Sequence, residues 1–171
     1  MELKELTTKT LKLFNSKDTK ELIKKLPNYW NDEQTKQKFC DLVGDLSVDW
    51  LQKIFQYYEA DRKDKKQDYT PTTLANLMAN IALRGNESSI TDMCAGSGAL
   101  TIQCWNLNHN IHAECLEFDE NVMPILIFNL AVRNIDANVY QMDVLQNEVK
   151  HSWKVVPDKK FGGVVANDNN N

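Results

Sequence analysis

Asp92, the run Gly96-Ser97-Gly98 and Glu117 are the residues whose types and spacing could do chemistry. Ser89-Ile-Thr-Asp-Met-Cys94 reads as a strand, Ala95 to Gly98 as a glycine turn, and Ala99 to about Leu107 as a helix. A strand that passes through Gly-x-Gly straight into a helix lets a ligand approach the backbone closely and aims free N–H groups at it. That points to a nucleotide-like cofactor. Asp92 stands just before the turn, and Glu117 ends the following strand, where a carboxylate can accept hydrogen bonds from both ribose hydroxyls. A dinucleotide-binding turn would need a third glycine at position 101, and Thr101 stands there, so a pyrophosphate site is disfavoured.

The elements that must position these residues follow from periodicity. From Leu3 to about Tyr58 apolar residues recur at helical spacing, with Leu22, Ile23 and Leu26 before Pro27, and with Trp50, Leu51, Ile54, Phe55 and Tyr58 on one face of a helix that starts after Ser47 or Asp49. The dense mixed charge of Glu59 to Asp68 reads as a solvated connector. It divides a helical region, 1–66, from an α/β region, 67–171. Thr70 is the expected N-cap and Pro71 the first residue of the next helix, with Leu74, Leu77, Met78, Ile81 and Ala82 as its buried face. Then come a strand over Ile111 to Glu117, a helix over Val122 to Asn134, a short strand over Asn138 to Met142 and a strand over Phe161 to Ala166. Such alternation predicts parallel strands joined by right-handed crossovers.

In order and in type, Tyr69-Thr70-Pro71, Asp92-Met-Cys-Ala-Gly-Ser-Gly-Ala99, Glu117-Phe-Asp119 and Asp143 resemble the motifs of the adenine-specific DNA methyltransferases, especially the modification subunits of type I restriction systems. The resemblance covers roughly residues 69 to 167 and implies a Rossmann-like α/β fold with S-adenosylmethionine as cofactor. The implied cofactor-binding set is Tyr69, Thr70, Pro71, Asp92, Cys94, Gly96, Ser97, Gly98, Glu117, Phe118 and Asp143. Thr70 and Pro71 would line the methionine end, Asp92 and the Gly96 to Gly98 backbone the amino-acid portion, Glu117 the ribose, Asp143 the adenine amino group, and Phe118 would stack beside it. Bland roles suit some of them equally: Thr70 and Pro71 could cap a helix, Asp143 a turn, and Phe118 could be core.

The family's catalytic loop, Asp or Asn followed by Pro-Pro and an aromatic residue, comes directly after its fourth strand. Here Phe161-Gly-Gly-Val-Val-Ala166 leads to Asn167, and Asp168-Asn169-Asn170-Asn171 follows. Adenine's amino nitrogen is a poor nucleophile, so the site must accept its hydrogens while aligning it with the methyl donor. Asn167 is the implied catalytic residue, and the Asp168 carbonyl could be a second acceptor. The aromatic platform for a flipped base, a contact worth about 1–3 kcal/mol, is missing. Only four strands are expected, the last at an unprotected edge. The chain therefore reads as a natural truncation, a fragment, or one half of an assembly completed by a specificity subunit or another chain. The alternatives are a catalytically silent cofactor-binding or interaction module, and a methyltransferase acting on protein glutamine or RNA.

Composition narrows the classes further. The 171 residues, 42% hydrophobic and 26% charged, suit a globular protein. No apolar run approaches a membrane span, and the Met1-Glu-Leu-Lys-Glu start lacks the apolar core of a signal peptide, so a cytoplasmic protein is expected. The four cysteines and three histidines fit no zinc spacing, and no metal is expected. The net charge of −4 argues against a chain that grips DNA unaided. Residues 1–66 carry 14 Lys/Arg against 12 Asp/Glu, and that small mixed excess reads as solvated surface.

Overall fold

The computed structural model describes residues 2–58 and 70–167, with side chains described over 2–55 and 70–167. The predicted connector, the boundary at 66/67 and Tyr69 lie outside the described residues. The elements are α1 (Leu3–Leu13), α2 (Thr19–Lys25), a 3-10 turn (Leu26–Tyr29), α3 (Glu33–Val43), α4 (Trp50–Tyr58), α5 (Thr72–Ala82), β1 (Ser89–Asp92), α6 (Ala99–Leu107), β2 (His112–Glu117), α7 (Met123–Val132), β3 (Asp136–Asp143), β4 (Glu148–Val156) and β5 (Gly163–Asn167).

Helices α2, α3 and α4 are started by acidic caps. Asp18 accepts from the Glu21 N–H, Asp32 from those of Gln34 and Thr35, and Asp49 from that of Gln52, each meeting donors that the first helical turn leaves unpaired. Their apolar faces converge on α7. Phe14, Leu22, Leu26, Phe39, Leu51 and Phe55 share one cluster with Val122, Ile125, Phe128 and Val132. Phe128 meets Phe14 and Phe39 edge-on, each with ring centroids 5.3 Å apart. The helical region therefore completes its core on the α/β region rather than beside it.

The sheet differs from the predicted all-parallel one. Its order is β1-β2-β3-β4-β5; β1, β2 and β3 are parallel, whereas β4 is antiparallel to both β3 and β5. Sequence patterning missed β4 because most of Glu148–Val156 is exposed and it shows no clean alternation. On the covered face two rows cross the sheet: Ile90-Ala113-Ala137-Val155-Val164 and Asp92-Cys115-Val139-Trp153-Ala166. Most of these residues belong to the cluster around Leu126, Ile127, Leu130 and Ala131 of α7. Asp92 is thus the acidic end of an otherwise apolar row.

Two further expectations change. The predicted buried face of α5 is exposed, with Leu77 at 56% and Ile81 at 65%; Leu74, Met78 and Ala82 are also exposed. Ala75 and Ala79 are buried instead, where small side chains let α5 pack closely on α6. The helix also starts one residue late, with Pro71 at the N-cap position and no side-chain cap.

The last strand does lie at a sheet edge, but that edge is protected. The Asn31 side-chain amide donates to Val164 O at 2.9 Å and accepts from Val164 N at 2.7 Å, standing in for a neighbouring strand. Beside it, Lys36 Nζ donates to Gly162 O at 2.9 Å. Gly162 is required there, since a Cβ would sit 2.5 Å from Val155 Cγ1. Asn31→Ala should cost about 1–3 kcal/mol in chemical denaturation and should promote self-association visible by light scattering. A variant as stable and as monomeric as the parent would contradict this account of the edge.

No helix among the described residues is long and apolar enough to cross a membrane. Nor do they contain a group of three or more His, Cys, Asp or Glu that could hold a metal.

Candidate functional site

Asp92, Glu117 and Asp143 close β1, β2 and β3, so the three acids line the carboxyl ends of adjacent parallel strands, where open α/β sheets bind ligands. The glycine turn leaves β1 at this edge and enters α6. Gly98 sits there at φ +94°, a left-handed conformation that disfavours any side chain, and an added Cβ would stand 3.0 Å from Leu126 Cδ1.

Glu117 ties the turn to the next strand. Its Oε2 accepts from Gly96 N at 2.8 Å, and its Oε1 accepts from Phe118 N at 2.8 Å and Asp119 N at 2.7 Å. The Ala95 N–H adds a bond to Leu116 O at 2.9 Å. A carboxylate has about four acceptor positions, so one remains for a ligand.

Asp92 faces inward. Its Oδ2 accepts from the Thr101 hydroxyl at 3.1 Å, and Thr101 also contacts Cys115 Sγ at 3.6 Å. Burial pushes the Asp92 carboxyl up, while Thr101 and the Cys94 N–H favour its ionised form. Thr101 therefore has a function at the place where a dinucleotide-binding turn would carry glycine. Cys104 and Cys115 are buried against this acid, and burial pushes their thiols up to about 11 and about 12, leaving them inert near neutrality.

Ser97 is fully buried beneath the turn. Its carbonyl accepts from Asn129 Nδ2 at 2.9 Å, and the same nitrogen donates to Asp49 Oδ1 at 2.9 Å. Arg133 completes the network, donating to Asn129 O and Oδ1, to Leu46 O and to Val48 O at 2.8–3.1 Å. Sequence reasoning gave Asp49 only a helix start and Thr101 only the place of a missing glycine, and it did not single out Asn129 or Arg133. A signal was present for Asn129, which is the one polar residue in the apolar α7 sequence Met-Pro-Ile-Leu-Ile-Phe-Asn-Leu-Ala-Val.

The other predicted residues divide. Cys94 is exposed next to the turn, and Phe118 is 59% exposed beyond Glu117 with Lys150 Nζ 5.1 Å from its ring centroid. Asp143 accepts from Leu145 N at 2.9 Å and Gln146 N at 3.2 Å, which makes it a turn cap in this structure. Thr70 is half-buried and Pro71 exposed at the start of α5. Asn167 is not brought to the turn. It pairs with Ser152, level with Tyr140 and Leu116, but β5 lies four strands away from β1. At the usual strand spacing of 4.7–4.9 Å the offset is roughly 19 Å.

The model of a family described as N-6 DNA Methylase matches residues 38–171. The chain is 22% identical over 142 residues to the methylase subunit of the MjaVII type I restriction enzyme of Methanocaldococcus jannaschii; the match covers 78% of this chain and 24% of that protein. The chain thus spans about a quarter of the length of the curated relative it matches. Among solved structures it is similar to the methyltransferase subunit of a type I restriction-modification system from Streptococcus thermophilus, with a TM-score of 0.48 and 15% identity over 85% of this chain and 40% of that one.

Proposed function

The chain belongs to the N-6 DNA methylase family, and we propose that it forms the S-adenosylmethionine-binding part of an enzyme that methylates the exocyclic amino group of adenine in DNA. The observation that carries this reading is the glycine turn between β1 and α6, held from the neighbouring strand end by Glu117. The residues fit the cofactor. Two strand-end acids stand beside a turn whose left-handed position 98 favours glycine, and exposed Phe118 lies beyond the ribose-side acid. When bound, the cofactor supplies the methyl group, carried on a sulfonium. Glu117 accepts from the ribose hydroxyls. Since one of its acceptor positions is open and a diol needs two, the Gly96 contact yields on binding. Asp92 and Thr101 fix the start of α6 from inside, and Asp143 stands at the third strand end for the adenine amino group. DNA is the proposed substrate, and a specificity subunit or another chain the proposed partner.

A second reading, cofactor binding without transfer, is favoured by the distance of Asn167 from the turn. One experiment separates the two. The purified chain, with and without a specificity subunit, is incubated with methyl-labelled S-adenosylmethionine and unmethylated DNA, and binding is followed in parallel by calorimetry. Label in adenine supports the first reading; binding without label supports the second. Label in protein or RNA instead of DNA overturns the substrate assignment, and no binding at all overturns both readings.

A further inference from the structure

Asn129 stands inside a helix whose other nine residues are apolar, and it is 1% exposed. A polar side chain is retained at such a depth only if its hydrogen bonds are met. Here the partners also fix which way the amide points. Arg133 can only donate, so the Asn129 oxygen must face it; the Asp49 carboxylate and the Ser97 carbonyl accept, so the nitrogen must face them. Asp49 is itself held, as the N-cap of α4, by the Gln52 N–H at 2.8 Å. Arg133 anchors the preceding segment through Leu46 O and Val48 O, and Gln103 Nε2 of α6 reaches Ser47 O at 2.9 Å. A segment of the helical region is thus fastened to α6, to α7 and, through one amide, to the turn.

The turn's other main-chain bonds bypass Ser97: Ala95 N donates to Leu116 O and Gly98 O accepts from Ile102 N. Gly96 N is held by Glu117 and Gly98 N by Ala95 O, and two glycines flank Ser97. Glycine-rich backbone has wide conformational freedom, so each tether counts. We propose that Asn129 is a positioning residue for the glycine turn: oriented by Asp49 of the helical region and by Arg133, its amide holds the Ser97 carbonyl and thereby sets the Gly96–Gly98 backbone. The consequence for cofactor affinity rests on the proposed binding reading. The consequence for the turn itself does not.

The test compares Asn129→Leu and the milder Asn129→Ser with Asn31→Ala, which removes two hydrogen bonds between the helical region and the sheet at the distant β5 edge. Amide hydrogen exchange at residues 95–99 and calorimetry with S-adenosylmethionine are measured on the full chain. Both Asn129 variants should speed exchange at Gly96 to Gly98 by about tenfold relative to β3 amides, and weaken cofactor binding by about tenfold, the effect of one buried hydrogen bond. Asn31→Ala should lower stability and leave both readouts unchanged. If Asn129→Leu fails to fold, Asn129→Ser decides alone. Exchange that rises equally in the turn and in β3, or a turn that Asn31→Ala loosens as much, overturns the proposal and makes Asn129 merely structural. Should the unaltered chain bind no cofactor, the binding reading fails, while turn exchange still decides the role of Asn129.

Discussion

Arg133→Met should lower the stability of the chain by about 3–5 kcal/mol, a large share of the 5–15 kcal/mol that hold a typical domain together. Methionine replaces the stem at similar volume, so the loss is one of charge and hydrogen bonds. Arg133 is 3% exposed and reaches three main-chain carbonyls and one side-chain amide. Burial brings its guanidinium down to about 10, opposed chiefly by Asp49. Its removal would orphan those acceptors and leave Asp49, itself buried, facing no cation. Arg133→Lys should recover less than half, because an ammonium is a point charge that cannot span the same carbonyls. Urea titration followed by tryptophan fluorescence measures each variant, and a Met variant within about 1 kcal/mol of the parent would refute the account.

The pair also sets a pH dependence. Burial pushes the Asp49 carboxyl up, with Arg133 the first of the groups that pull it back down. A folded value above the unfolded one means that the neutral carboxyl is the favoured buried form, so its stability contribution is present at low pH and lost as pH rises through the folded value. Without Arg133 that loss extends to higher pH and grows larger. The deficit of Arg133→Met relative to the parent should therefore narrow as the solution is acidified. Adding Asp49→Asn to Arg133→Met should recover stability at neutral pH, because it removes the stranded charge and keeps a side chain that caps α4.

Local signals in the sequence were enough for the units around the glycine turn. Ser89-Ile-Thr-Asp into Gly-Ser-Gly into Ala99 is a strand, a turn and a helix by periodicity and glycine placement alone, and the structure has each of them. Patterning failed where an element's environment is set by distant chain. The α5 sequence carries an apolar stripe at i, i+3, i+4 and i+7, which local reasoning must send inward. The alanines beside that stripe make the contact with α6 instead, a choice that no single helix encodes. β4 escaped for the opposite reason: with few apolar residues facing the covered side, it borrows its place from the hydrogen-bond ladders of β3 and β5.

The site divides along the same line. Glu117 and Gly98 were legible because their chemistry is local: an acid at a strand end, and a residue that must adopt positive φ. Asp49, Asn129 and Arg133 were not, since each makes sense only once the chain brings residues more than thirty apart into contact. Asn167 stands apart from the glycine turn, since two antiparallel pairings carry β5 to the far side of the sheet.

Glu117→Ala should weaken S-adenosylmethionine binding by on the order of 100-fold, measured by calorimetry, while Glu117→Gln should recover about a tenth of that factor or more. The magnitude follows from what the carboxylate does twice. In the structure it accepts three main-chain N–H bonds, at Gly96, Phe118 and Asp119, and so joins the glycine turn to the loop that leads into α7. In the proposed complex it gives up the Gly96 contact and accepts from both ribose hydroxyls. Charge-assisted bonds of this kind are worth roughly 1.5–3 kcal/mol each, and two lost ribose contacts at the lower end of that range, as suits a half-buried site, give the predicted factor. Alanine loses every acceptor. Glutamine keeps one oxygen, so it can hold either the turn or one hydroxyl, and its amide would oppose the main-chain N–H it displaces. Stability should fall far less than for Arg133→Met, because Glu117 is half-buried and water can replace its partners. An alanine variant that binds the cofactor as tightly as the parent would remove Glu117 from the site and leave the glycine turn without its ribose acceptor.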